Sequence, residues 1–353
     1  MKWSRAVWFS VLVAAVPSQA LSKPAAESAL CFGGKPEAVV TGEIAPSALT
    51  VIGGELVWQA DAELRRLSPG VRKASTVAKV PDDIRIFDLH QAFGITRISD
   101  LFAVDLPTGK TMTLVVGHDR MEDMLFFSSL GLDKTYVYFT RGRTRATRDA
   151  GFFRVRRDGS APAEQLATTP EHSHFIVDRG FVYWDGTDPQ THRVAVLRRE
   201  LRKDAPVEVV AAEAPLAFGD SLLRVYGGRL YFVRKGAIAS VPVDGRAAAS
   251  TAVAVGDSTI RDFLTDGACI YWRTEAAVIM RAHLDGGVPE VIGQVAPEDD
   301  SSRVVGDPRR FDATMATDTL FLYWIDQAAG KIFRVGHAET SGSPARSGIQ
   351  RKP

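Results

Sequence analysis

Hydrophobic residues fall along this chain in short, similar bursts, most of them carrying an aromatic pair. They read LVW at Leu56–Trp58, YVYF at Tyr136–Phe139, FVYW at Phe181–Trp184, LYFV at Leu230–Val233, CIYW at Cys269–Trp272 and LFLYW at Leu320–Trp324. Apolar bursts of this length bounded by turn residues predict strands. Tight-turn signals stand ahead of most of them, at Gly53-Gly54, Asp178-Arg179-Gly180, Gly227-Gly228, Asp266-Gly267 and Asp318-Thr319. Asp and Gly provide the positive φ that two-residue hairpin turns demand. A further strand follows, such as Phe152–Arg156, Val194–Arg198 or Lys331–Val335. It ends at a second turn, such as Asp158-Gly159, Asp244-Gly245 or Asp285-Gly286-Gly287. A last strand, such as Glu208–Val210 or Glu290–Ile292, completes the cassette.

The cassette recurs. Tyr138, Tyr183, Tyr231, Tyr271 and Tyr323 are equivalent, at intervals of 45, 48, 40 and 52 residues. Four antiparallel strands per period in the forties predict an all-β fold, a β-propeller built of four-stranded blades. A lone blade has two apolar faces; stacking between neighbours buries both, and ring closure removes free edges. A β-sandwich is the competing architecture, but it does not require the same order of turn, aromatic and Asp-Gly in each unit. Trp58 and Tyr138 lie 80 residues apart, two periods, so a degenerate copy is expected near residues 95–98. Gly94–Arg97, Leu101–Leu106, a Pro107–Lys110 turn and Thr111–Val116 supply it. The count is then seven blades, with six and eight as alternatives. The last unit lacks a fourth strand, and a spare apolar segment, Glu37–Thr41, precedes the first. That segment is expected to close the ring as the outer strand of the last blade. The chain thus divides into a signal peptide (1–20), an N-terminal segment (21–36), the propeller (37–338) and a disordered tail (339–353).

Phe321-Leu322-Tyr323-Trp324-Ile325-Asp326, followed by Gly330-Lys331-Ile332-Phe333-Arg334, resembles the YWTD repeat of low-density-lipoprotein-receptor-type propellers. Val182–Asp185 and Ile270–Trp272 are weaker matches. The resemblance runs across most of the chain at motif level. It departs in repeat count, seven against six, and in the Thr-Asp pair, which does not recur. It implies the fold and binding as a mode of action, and it transfers no ligand.

Composition sets the compartment. Lys2 and Arg5, the apolar run Ala6–Val16 and the small-residue end Pro17–Ala20 read as a secretory signal cleaved after Ala20. The run is short for a membrane anchor, and Leu30 before Cys31 does not suit a lipidated cysteine. No later stretch reaches transmembrane length, so the expectation is an exported protein, periplasmic or extracellular. The net charge is +1 for the whole chain; losing Lys2 and Arg5 turns it slightly negative. A near-neutral chain lacks the basic excess of a nucleic-acid binder. Asn is absent and Arg outnumbers Lys, a bias that fits a GC-rich bacterial coding sequence. It leaves no N-glycosylation sequon and no Asn metal ligand. Cys31 and Cys269 form either a disulfide or a pair of free thiols, the latter with Cys269 as a small core residue.

In a propeller, the loops between blades and between second and third strands share one face, and the remaining turns share the other. The unusual segments all sort to the first face. The basic loop Thr140–Arg148 offers Arg141, Arg143, Arg145 and Arg148, whose guanidinium forks suit a carboxylate or phosphate. His172 and His174 would join them in binding. His172 and His174 with His118 and Asp123 are the candidate metal ligands, since His-x-His on an extended strand points both rings one way. The bland readings are a solvated loop and polar residues at a strand entrance. No nucleophile elbow, P-loop, H-E-x-x-H or C-x-x-C is present, and no cofactor is expected. Two functions follow. One is a non-catalytic binding or scaffold propeller recognising a protein, peptide or carbohydrate through its loop face. The alternative is a hydrolase or lyase on an extracellular sugar or lactone, with its site in the central channel. A channel lined by Asp, His and Arg at several blades would favour the enzyme; one lined by Val, Ala and Ser would favour the scaffold.

Overall fold

The computed structural model describes residues 31–96, 100–117, 130–141, 151–168, 175–212, 222–284, 286–296 and 314–336, and within them the chain forms 28 strands and no helix. The strands assort into seven four-stranded antiparallel sheets. Blade 1 spans Pro46–Lys79, blade 2 Asp83–Val115, blade 3 Leu130–Ala167, blade 4 Phe175–Ala211, blade 5 Leu223–Ala254 and blade 6 Ile260–Gln294. Blade 7 takes three strands from Met315–Gly336 and its fourth, β1 (Glu37–Thr41), from the other end of the chain. The innermost strands are β2 (Pro46–Ile52), β6 (Asp83–Phe87), β10 (Leu130–Leu132), β14 (Phe175–Asp178), β18 (Leu223–Tyr226), β22 (Ile260–Thr265) and β26 (Met315–Thr317).

The apolar bursts are second strands, and their period of two explains the ring. In β11 (Tyr136–Arg141), Val137 and Phe139 pack backwards with Phe93 and Ala103 of blade 2. Tyr138 packs forwards with Phe175 and Trp184 of blade 4. The same division holds all round, so the core is seven separate clusters, one at each blade interface. Trp58, Trp272 and Trp324 are fully buried in three of them. Each such side chain contributes roughly 2–3 kcal/mol by leaving water.

The hairpins between first and second strands are held by one repeated device. Asp133 Oδ1 accepts the backbone N–H groups of Thr135 and Tyr136, both at 2.7 Å, while its Oδ2 accepts the Tyr138 hydroxyl at 2.6 Å. Asp266 holds Ala268, Cys269 and Tyr271 in the same way. Asp318 does so for Leu320, Phe321 and Tyr323. An Asp carboxylate thus satisfies two turn amides that would otherwise lack partners. It also anchors an aromatic five residues later.

Blade 2 obeys the same spacing, which corrects its expected place. Its second strand is β7 (Gln91–Ile95), and the equivalent of Tyr138 is Phe93, earlier than the 95–98 expected from the aromatic interval. Phe93 has no hydroxyl. Asp88 still caps His90 and Gln91, but its second oxygen pairs with Arg157 of blade 3. Other polar ties also cross between blades. The buried Gln59 accepts from Ile84 N–H at 2.7 Å and donates to the Asp82 carbonyl. Asp326 accepts from Ala296 N–H at 3.0 Å. A register shift between the third and fourth strands recurs in every blade, the bulge that twists an outer strand away from edge pairing.

Ring closure follows the expected scheme. β1 pairs antiparallel with β28 (Lys331–Gly336), from Glu37 opposite Arg334 to Thr41 opposite Lys331. Beyond β1, the Glu43 N–H donates to the Gly330 carbonyl at 3.0 Å. Gly330 sits at φ +61, and a Cβ there would lie 2.2 Å from the Glu43 carbonyl oxygen. Only glycine fits. Ahead of β1, the N–H groups of Gly33 and Gly34 donate to the Gly336 carbonyl at 3.0 and 3.2 Å. Cys31 is joined to Cys269 of blade 6 by a disulfide.

Candidate functional site: the channel and the latch

The seven innermost strands surround a channel, and their partly exposed side chains mix apolar residues with Ser47, Thr50, Asp83, Arg85, Asp178, Arg224, Arg261 and Thr317. Val51 and Ile52, Ile86 and Phe87, Leu132, Ile176 and Val177, Val225 and Leu264 contribute from six blades. A cavity of about 1360 Å³ opens against blades 5, 6, 7 and 1 on the side of the first-to-second-strand turns. A smaller one of about 460 Å³ lies against blades 2, 3 and 4, walled by Ile86, Leu132, Ile176 and Val177 with Asp88, Asp133, Lys134 and Arg157. Val71, Tyr226 and Leu320 line the larger one with 52%, 44% and 62% of their surface exposed.

Several charges on the inner strands are paired. Arg224 donates to Asp262 at 2.8 Å across the interface of blades 5 and 6. The other Asp262 oxygen accepts from both the backbone and the hydroxyl of Thr314, each at 3.0 Å, tying in blade 7. Asp83 and Arg85 pair at 3.4 Å, and Arg261 pairs with Glu275. These contacts make Asp262 a structural knot, with its charge matched and its lone pairs occupied.

A second recurring arrangement lies on the outer half of the blades. Arg154, Arg198 and Arg334 sit in third strands, each over the aromatic that opens its second strand: Tyr136 at 4.4 Å, Phe181 at 4.9 Å and Phe321 at 4.4 Å. Each also pairs with a glutamate directly opposite in the fourth strand: Glu164, Glu208 and Glu37. In blade 6 the position of that aromatic is taken by Cys269. Arg281 still pairs with its glutamate, Glu290. Having no ring beneath it, it donates to the Cys31 and Phe32 carbonyls at 3.2 and 2.8 Å. The N-terminal segment therefore fills the gap left by a missing aromatic. Phe32 packs on Tyr271 with ring centroids 5.7 Å apart, and its N–H donates to the Tyr271 hydroxyl at 2.9 Å.

The fold also lowers the acidity of the tyrosines that the hairpin aspartates hold. Burial, then the anionic Asp318, pushes Tyr323 up to about 12. Burial pushes Tyr138 and Tyr271 up as well, aided by Asp133 and Asp266. These shifts arise from packing in the blade interfaces.

Of the site residues expected from sequence, only Arg141 and the cysteines fall within the described residues. Arg141 ends β11 and is half-buried, with its guanidinium over the Phe153 ring at 4.8 Å. It therefore belongs to the blade wall. Arg143, Arg145, Arg148, His172, His174, His118 and Asp123 lie outside the described residues. Among the described residues, Cys31, Cys269 and His283 form the one group of three metal-capable side chains. His283 carried no sequence signal: it is isolated in the chain and meets the cysteines only through pairing, directly opposite Cys269. No helix of the described residues is long and apolar enough to cross a membrane.

No family model and no curated protein matches this chain. Solved structures do. An oligogalacturonate lyase from Vibrio parahaemolyticus aligns over 89% of this chain and 97% of its own, with a TM-score of 0.62 at 10% identity. The computationally designed Ika8 protein aligns over 87% of this chain and all of its own, with a TM-score of 0.54 at 9% identity. A nidogen/laminin complex aligns over 64% of this chain and 87% of its own, with a TM-score of 0.45 at 11% identity. For the first two, at these identities, the likeness is one of fold.

Proposed function

We propose that this chain is an exported, non-catalytic propeller that binds a protein, peptide or carbohydrate through its loop face, in the manner the YWTD-like repeats imply. The observation that supports this reading is the channel wall. It carries Val, Ile, Leu and Phe beside Asp83, Arg85, Arg224 and Arg261, and these charges are held in ion pairs within the wall or with its neighbours. Catalysis in a channel needs acids, bases or cations free to reach a substrate; most of the charges in this wall are tied into pairs. Arg143, Arg145 and Arg148, with His172 and His174, remain the proposed anion-recognising residues. Arg141 is better kept as a packing residue.

The test is capture of partners from an exported fraction by the immobilised protein, with Arg143, Arg145 and Arg148 changed together to Ser as the comparison. Binding should fall in the variant and weaken with added salt, while melting should stay within about 2 °C if the three arginines act in recognition and not in packing. Binding that ignores both changes but is lost on Leu320→Glu would move the surface to the turn-side cavity. Turnover of an oligogalacturonate or a lactone by the protein would replace the reading with the enzymatic alternative.

A further inference from the structure

We propose that reduction of the Cys31–Cys269 disulfide converts the latch into a binding site for one thiophilic d10 cation, Cu+ or Zn2+, with His283 as the third ligand. The three side chains come from two places that the fold brings together. Cys269 and His283 face each other across adjacent strands of blade 6, and directly opposed residues place their Cβ atoms about 5 Å apart. Cys31 arrives from the N-terminal segment, 238 residues away in sequence. His283 sets its Nε2 3.4 Å from Cys31 Sγ and its Nδ1 3.7 Å from Cys269 Sγ. Two ligands on one tetrahedral ion, with S bonds near 2.3 Å and N bonds near 2.0 Å, lie about 3.5 Å apart. These two contacts use different ring nitrogens, and only one can ligate a given ion; a single His283 nitrogen and both sulfurs still lie within 4.8 Å of one another, so a small shift brings the three to ligand spacing.

What is missing is room between the sulfurs. The disulfide occupies it, and a disulfide binds no such ion because the thiolate is the ligand. A dithiol reductant supplies the step. Two electrons and two protons pass to the protein disulfide, giving two thiols, and the dithiol closes to its own cyclic disulfide. Binding the cation then releases the two thiol protons as the metal–sulfur bonds form. The sulfurs must part to about 3.8 Å for two thiolates to share an ion. Cys31 lies on a segment outside the sheets and can make that shift, whereas Cys269 is fixed in its strand. Both cysteines are buried, while His283 is only partly so, which leaves a path from solvent. Arg281 donates to the Cys31 carbonyl at 3.2 Å, so the backbone stays docked while the Cys31 side chain rotates its sulfur away. Three ligands suit trigonal Cu+, or Zn2+ with water in a fourth position.

The experiment uses the full chain, reduced with a dithiol under anaerobic conditions and freed of reductant. Zn2+ or Cu+ is titrated against a competing chelator. The reduced protein should take up one equivalent and the oxidised protein none. His283→Ala should lower the affinity of the reduced form roughly tenfold or more, since even outer partners of a metal site matter to that degree. This variant keeps its disulfide when oxidised, so its folding is checked independently by its melting before reduction. Uptake of Cu+ alone would point to the trigonal form, and uptake of Zn2+ alone to the four-coordinate form. A reduced wild type that takes up neither ion, or a His283→Ala protein that holds the ion as tightly as wild type, would overturn the proposal.

Discussion

Cutting the covalent latch while leaving every strand in place isolates what it contributes. The perturbation is Cys31→Ala with Cys269→Ala, compared with wild type in a metal chelator. The disulfide closes a loop of 238 residues in sequence separation. Loop-closure entropy for such a span amounts to about 18 cal/mol/K, or about 5 kcal/mol at room temperature. An unfolding entropy of about 2.1 cal/mol/K per residue gives roughly 0.6 kcal/mol/K for a ring of this size. The expected fall in Tm is therefore about 8 °C. Scanning calorimetry at fixed pH and scan rate measures it. Reduced wild type under the same chelator serves as the control that creates no cavity, and the two shifts should agree within about 2 °C. A fall of less than about 2 °C in both would refute the reasoning. It would mean that the unfolded chain is not appreciably restrained by the bond, or that the native state stores strain equal to the entropic gain.

Two further outcomes follow from the ring's other joints. Gly330→Ala should destabilise by about 2 kcal/mol or more, because positive φ disfavours a side chain and the new Cβ meets the Glu43 carbonyl; urea unfolding should show a lower midpoint, whereas Gly53→Ala, with open space around its Cβ, should bear only the φ cost. Stability should also decline as pH rises from 10 towards 12, since Tyr323 ionises near 10 when unfolded but is pushed up to about 12 when folded, so the native state holds its proton longer. Tyr323→Phe should flatten that decline in denaturant midpoints taken from pH 8 to 11.5, and an unchanged slope would show that the tyrosine does not carry it.

Most of the architecture is legible because a propeller repeats its chemistry. Asp at one position and an aromatic five residues later mark the hairpins of blades 3, 6 and 7, and the reason is the shared carboxylate. Blade 2 is harder to place because Phe93 breaks the aromatic pair, yet Asp88 keeps the register. Counting from the aspartate locates the strand; counting from the tyrosine does not. The outer strand β1 can be anticipated because a spare apolar segment and an incomplete last unit fit one another. The candidate site is far less legible. Arg141 looks like one of four equivalent loop arginines, but strand pairing continues through it and lays it on Phe153. His283 is invisible until Cys269 is set opposite it. Long-range pairing decides both cases, and no local pattern encodes it.

The seam in blade 7 also has a mechanical consequence. Glu37 and Gly336, where the two ends of the chain leave the seam, lie at the same end of the β1–β28 ladder. Tension drawn between those ends would peel the ladder open one rung at a time, the weakest way to load a β-sheet. Cys31 precedes Glu37, and its bond to Cys269 anchors the chain to blade 6 before the pull reaches the first rung. A force on the N-terminal side is thus diverted into a covalent tie to a neighbouring blade, and the seam stays unloaded for as long as that tie holds.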